Sequence, residues 1–130
     1  MPALAPRSAV QGEAASKIAS FQAPPEIQAG LWLYADDLAR SHAISQDIDT
    51  PSGSYWHAIM HRREGDFSNA KYWLRLVGPH PAIEVIGYDP YEFVDACEAD
   101  MGRNSLTLVE MQRKEWKALF DQCLQEARSG

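Results

Sequence analysis

The sequence predicts an all-α fold of about five helices, packed as an antiparallel bundle that contains one αα-hairpin. Three observations predict it. After residue 24, apolar residues recur at three- and four-residue spacing, the period of a helix with one buried face. Start and stop signals punctuate these segments: Asp89-Pro90 and Thr107-Leu108-Val109-Glu110 at starts, Gly65 and Gly78-Pro79 at ends. Finally, the one stretch that reads as a strand, residues 82–88, has no partner strand elsewhere in the chain. A lone strand leaves its backbone groups unpaired, so an extended loop or a helical turn is expected there.

Residues 1–24 are rich in Ala, Ser and Pro with almost no large apolar side chains, too little to offset the entropy of ordering. A mobile arm is expected there, followed by a single helical domain over residues 25–130. The first helix is expected from about Pro25 to residue 46, with Leu31, Tyr34, Ala35, Leu38, His42 and Ser45 on one stripe and Asp36, Asp37 and Arg40 opposite. Turn formers from Asp47 to Gly53 end it, and Pro51 disfavours helix in the residue before it. Ser54 is the expected N-cap of the next helix, and Gly65 supplies the left-handed residue that closes it. The second helix of the hairpin carries Ala70, Trp73, Leu74 and Val77 at i, i+3, i+4 and i+7 before Gly78-Pro79 stops it. A further helix is expected from Asp89-Pro90 to about Asp100. The last is expected to open at the Thr107 capping box and to bury Val109, Trp116, Phe120, Cys123 and Leu124.

A chain of 130 residues buries roughly two thirds of its unfolded surface and needs no disulfide or metal to hold a core. Several domains are excluded at this length. Cys97 and Cys123 fall in helical segments, where a free thiol acts as a small hydrophobe, and a cytoplasmic location is expected. No apolar run approaches the ~18 residues of a membrane span, and no apolar stretch of signal-peptide length follows the N-terminus. The net charge of −6 argues against nucleic acid as a partner, because neutralising phosphates needs a basic surface. The charge is segregated: residues 54–83 sum to +2 and residues 84–100 to −6. The acidic helix is expected to lie near the basic hairpin.

The segment Glu64–Pro81 has a Gly65-Asp66-Phe67 turn, a small residue at Ala70 and a closing proline at Pro79 or Pro81. In this, residues 54–81 resemble a single tetratricopeptide-type unit. They depart from it at His57 and His61, where that family carries Leu and Tyr, and no second copy follows at the repeat period. A lone unit cannot bury both faces, so the resemblance implies that flanking helices cover it. The longer stretch Leu31–Pro81 resembles a family of small, uncharacterised bacterial and fungal proteins, which implies a self-contained unit and carries no activity or residue role.

Two constellations have chemical potential. His57, His61 and Glu64 stand at i, i+4 and i+7 and project from one side of one helix. Two imidazoles and a carboxylate suit a divalent transition metal. His42, on the stripe of the first helix, is the candidate third histidine, with Asp36 or Asp37 as further donors. Ala58 stands where the H-E-x-x-H motif keeps its general base, so that motif's mechanism does not apply. The plainer reading is that the histidines close hydrogen-bond networks inside the fold. Their direction is contested: Tyr55, Trp56, Ile59 and Met60 put the apolar side of the helix opposite the histidines and send them outward, whereas the repeat register sends them inward against the second helix. The second constellation is Arg62, Arg63, Lys71 and Arg75 interleaved with Tyr72 and Trp73, a set suited to a carboxylate or phosphate. The counter-reading has Glu64, Asp66 and the acidic helix neutralising these cations. Adjacent Ser41 and His42 point about 100° apart on a helix and cannot form a nucleophile and base pair.

The expected function is that of a binding domain for a peptide, a subunit or an anionic small molecule, using the concave side of the hairpin with Arg62, Arg63, Lys71, Trp73 and Arg75. The alternative is a metal-dependent enzyme or sensor built on His42, His57, His61 and Glu64. Four tryptophans in one small chain add a homodimer to the expectations.

Overall fold

The computed structural model describes residues 23–129 and is helical throughout its regular structure, with seven helices and no strand among the described residues. The helices are α1 (Pro25–Tyr34), α2 (Leu38–Ser45), α3 (Pro51–Glu64), α4 (Phe67–Val77), α5 (Pro81–Ile86), α6 (Pro90–Asp100) and α7 (Leu106–Ser129). The arm expected over residues 1–24 lies outside the described residues except for Ala23 and Pro24. Ala23 packs against the core, and its carbonyl accepts a hydrogen bond from Gln28 Nε2 at 3.2 Å.

The all-α class holds; the count of about five does not. The helix expected over 25–46 is two helices. Asp36 takes a left-handed φ of 67°, and the Asp37 carboxylate accepts from the Arg40 backbone N–H at 3.1 Å, so it caps a new helix. A periodic stripe is continuous across this break, which is why spacing alone reads as one helix. Residues 81–86 form a short helix capped by His80, whose Nδ1 accepts from the Ala82 N–H.

Helix α3 begins three residues before the expected Ser54 cap. Thr50 Oγ1 accepts from the Gly53 N–H at 3.1 Å and Pro51 occupies the first helical position, where a missing N–H costs nothing. The proline that read as a terminator therefore starts a helix. Thr107 likewise lies inside α7, which begins at Leu106. Gly65 closes α3 at φ 90°, and Gly78 follows α4, as their positions predict.

α3 is the central element: every residue from Ser52 to Arg63 except Ser54 is buried. Its three faces meet different neighbours, roughly a third of a turn apart. Trp56 and Arg63 face α1, where the Gly30 backbone approaches the Trp56 ring and Arg63 Nη1 donates to the Leu33 carbonyl at 2.5 Å. Tyr55 and Arg62 face α7 through hydrogen bonds to Glu115 of 2.9 and 2.6 Å. His57 and His61 face α2 and α4. The pairs His57 with Trp73 and His61 with Asn69 run in opposite chain directions, so the α3–α4 hairpin is antiparallel. The apolar side of α3 and the repeat register point these histidines opposite ways; a helix covered on every side removes the conflict, because all its faces are interior.

Trp56 and Trp32 are buried, and Trp73 and Trp116 pack against the core while keeping partial exposure. One chain thus covers most of the tryptophan surface from which a homodimer was argued. Acidic α6 packs beside α4, where Lys71 Nζ lies 2.5 Å from Asp95 Oδ1. Cys97 and Cys123 are buried free thiols, and burial pushes them up to about 11 and about 12. Among the described residues no helix is long and apolar enough to cross a membrane.

Candidate metal centre

Three imidazoles meet where α2 crosses α3. Capping by Asp37 starts α2, so that His42 falls on its second turn facing α3, and the four-residue spacing of His57 and His61 stacks their rings on one face of α3. The His57 and His61 rings lie 4.7 Å apart at 27°. His42 stands edge-on to both, 4.8 Å from His57 and 5.5 Å from His61. One ring nitrogen from each histidine lies within 4.8 Å of the others. A metal at about 2.0–2.1 Å from each nitrogen needs them roughly 3.3 Å apart. On α4, Trp73 stacks on His57 at 3.9 Å and 12° and fixes its plane.

The electrostatics of the three differ. His57 is 3% exposed, and its Nδ1 has no hydrogen-bond partner among the described residues. Burial lowers its pKa to about 4, with His61 and His42 adding to the effect, so at neutral pH it is an uncharged imidazole with a lone pair available. His61 is held from behind. Its Nδ1 lies 2.6 Å from Glu64 Oε1, and a proton shared there leaves Nε2 as the acceptor, 3.2 Å from the Asn69 side-chain nitrogen. A carboxylate behind an imidazole is the arrangement that orients histidine ligands and raises their basicity.

The four residues predicted as metal ligands are not brought together as one set. Glu64 stands outside the three-histidine group and joins His61 and Asp66 in a separate, largely exposed one. Asp36 and Asp37 are engaged elsewhere, Asp36 with Arg63 at 2.5 Å and Asp37 with Arg40. The predicted anion-binding set is scattered. Arg62 is buried between Glu115, Gln112 at 3.0 Å and the Phe93 ring, Arg63 is buried on Asp36 and Leu33, Lys71 pairs with Asp95, and Arg75 is exposed. Of that set only Trp73 reaches the histidines.

Sequence reasoning missed Asn69. The signal was available: an antiparallel hairpin turning at Gly65 opposes position 69 to 61 and 73 to 57. It also missed a buried polar cluster at the start of α3. Ala82 N–H donates to His80 Nδ1, which leaves Nε2–H to donate to Ser52 Oγ at 2.9 Å, and Ser52 Oγ–H donates to Glu126 at 2.9 Å. With its Nε2 carrying the proton, His80 is no base toward Ser52, so the cluster is a helix cap and an interhelical tie without nucleophilic character.

One helical turn from the histidines, a cavity of about 510 Å³ opens between the α2–α3 loop and α4. Gln46, Asp47, Asp49, Ser54, Trp73 and Leu76 contribute to its lining. Comparison of the chain with protein-family models, with curated proteins and with solved structures finds no match.

Proposed function

We propose that this protein binds a divalent first-row transition metal through His42, His57 and His61, with Glu64 orienting His61. The observation that carries the reading is the convergence of three imidazoles, one ring nitrogen of each within 4.8 Å of the others, around a buried His57 whose Nδ1 has no hydrogen-bond partner among the described residues. A buried nitrogen without a partner costs roughly 1–3 kcal/mol. A purely structural network accounts for His61, through Glu64 and Asn69, and leaves His57 unaccounted for. A metal held by the three rings answers the convergence. Three neutral nitrogen donors without a thiolate suit Zn²⁺, Cu²⁺, Ni²⁺ or Fe²⁺ better than Mg²⁺ or Ca²⁺.

The antiparallel bundle with a tetratricopeptide-like hairpin is the scaffold of this reading. α1, α2 and α7 cover the faces a lone unit leaves open, and the role of the hairpin is to hold the ligand pair at fixed register opposite α2. Recognition of an anion by Arg62 and Arg63 has less support, because both guanidinium groups are buried and already paired.

The test is calorimetric titration of tag-free protein with Zn²⁺ or Co²⁺. The expected result is one equivalent bound at micromolar or tighter Kd, with binding lost in His57→Ala and His42→Ala. Absence of binding, or binding unchanged in both variants, overturns the reading.

A further inference from the structure

We infer that residues 10–21 of this chain dock as a helix in the groove between α1 and α7, covering it with the stripe Val10, Ala14, Ile18 and Phe21. The docking is independent of the metal reading above.

The groove is apolar and open. Tyr34, at the end of α1, is 51% exposed and its ring lies 4.9 Å from that of Trp116, on which Phe120 stacks at 4.6 Å and 14°. These three rings and a wall of charged residues from α7 line a cavity of about 320 Å³. Leu124, one turn beyond Phe120, and Leu31 on α1 are half-buried apolar residues of the same two helices. Aromatic surface left in water is stabilised by an apolar face that covers it.

The chain itself enters the fold at the end of this groove. Ala23 packs against the core, its carbonyl accepts from Gln28 Nε2 at 3.2 Å, and Pro24 is extended. Gln28 stands one turn before Leu31 on α1, so the chain at Ala23 is bent back along α1 instead of prolonging its axis. The stripe Val10, Ala14, Ile18 and Phe21 recurs at i, i+4, i+8 and i+11, one face of a helix. As a helix, residues 10–21 span about 18 Å against about 15 Å for α1, so the segment matches the groove in length. Alone, it has too few large side chains to order itself; the groove supplies the apolar surface it lacks.

The point of entry also sets the direction. α1 and α7 are antiparallel, since Gly30 and Tyr34 meet Trp116 whereas the Glu26 carboxylate acts on Cys123. A segment folding back from Ala23 therefore runs parallel to α7. Phe21 then falls beside Leu124, Ile18 beside Phe120, and the small Ala14 opposite Trp116. Glu13 and Lys17 flank the stripe on one side, and Lys117 and Asp121, 2.7 Å apart, belong to the charged wall of the groove. In the parallel direction Glu13 comes opposite Lys117 and Lys17 opposite Asp121, whereas the reverse direction opposes like charges.

The experiment is hydrogen exchange of the full-length chain, read by mass spectrometry over residues 10–21 and over α3, with molecular mass followed by light scattering. The expected result is a monomer whose residues 10–21 exchange at least about tenfold more slowly than in a synthetic peptide of residues 1–22, at a rate independent of protein concentration. Ile18→Ser in the segment, and Tyr34→Ser and Phe120→Ser in the groove, should each speed this exchange at least about fivefold while α3 stays protected. Tyr34 is half exposed, so its variant keeps the body folded even if Phe120→Ser does not. Wild-type exchange at the peptide's rate overturns the inference and leaves the groove to another molecule. Exchange unchanged in Ile18→Ser, or in Tyr34→Ser with α3 protected, overturns it as well. Protection that appears only as the chain dimerises assigns the groove to a second copy and overturns it too.

Discussion

At the scale of single residues, the histidines make the sharpest predictions. The pKa of His57 falls from an ordinary 6.5 to about 4 on folding, so below pH 6.5 the unfolded chain binds a proton that the folded chain refuses. The stability linked to this group is fully present above about pH 6.5 and is lost as pH falls through 4, and it amounts to about 3 kcal/mol. His80 shifts in the same direction, chiefly through burial. Urea unfolding of wild type and His57→Gln at pH 7 and pH 4 isolates the contribution: the wild type should lose about 3 kcal/mol relative to the variant, and a constant difference would show that His57 titrates normally in the fold. Metal affinity should weaken as pH falls toward 4, where protons begin to compete for the His57 nitrogen. Behind the ligands, Glu64→Gln should weaken Zn²⁺ binding about 10- to 100-fold, the usual cost of losing a carboxylate that orients a histidine. Asn69→Ala should tighten it several-fold by removing the amide that occupies His61 Nε2. Calorimetry on the two variants checks both, and an unchanged Kd in Glu64→Gln would mean that the carboxylate plays no part in the site.

At the scale of elements, the contact of α1 with α3 depends on the absence of one atom. A Cβ placed on Gly30 would stand 2.6 Å from Cζ2 of the buried Trp56 ring. Gly30→Ala gains about 1 kcal/mol of helix propensity, but overpacking against a fixed ring costs roughly 1–3 kcal/mol, and the Gly30 carbonyl also accepts from Trp116 Nε1 at 2.7 Å. A net loss of up to about 2 kcal/mol is expected in denaturant unfolding, against a gain if the helices simply move apart. Much of this architecture was legible in the sequence. The Gly65 stop, the α4 stripe, the Asp89-Pro90 start and the facing of His42 toward α3 follow from local spacing and local chemistry. What was not legible depends on choices between two valid signals. Pro51 stops one helix or starts the next with equal local logic, and a left-handed Asp36 interrupts a stripe whose period continues across it. The fates of Arg62 and Arg63 were hidden for another reason: cations read as surface until Glu115, 53 residues away, and the Leu33 carbonyl are brought against them.

At the scale of the whole molecule, the rotation of α3 about its own axis decides whether His57 and His61 meet His42, and the face of α3 turned to α7 is expected to fix that rotation. There Arg62 pairs with Glu115 at 2.6 Å, and Tyr55 donates to the other Glu115 oxygen at 2.9 Å, all three side chains being buried. A buried ion pair gains little over an apolar pair of the same shape, since two charges have been taken out of water. What it supplies is direction, because a hydrogen-bonded arrangement on both carboxylate oxygens has one geometry where two leucines have several. Removing one partner is another matter: Arg62→Met leaves Glu115 charged and buried, at a cost of about 3–5 kcal/mol. Adding Glu115→Gln removes the orphaned charge and retains an acceptor for Tyr55, so the double variant should recover at least half of that loss, giving a coupling of at least about 2 kcal/mol in a double-mutant cycle. The double variant has regained stability without the directional pair, so if that pair sets the angle of α3, its Zn²⁺ affinity should still fall about tenfold although every imidazole is intact. Additive stability effects would show that Arg62 and Glu115 act independently. Wild-type Zn²⁺ affinity in the double variant would show that the apolar packing of α3 orients the histidines without help from the buried charges.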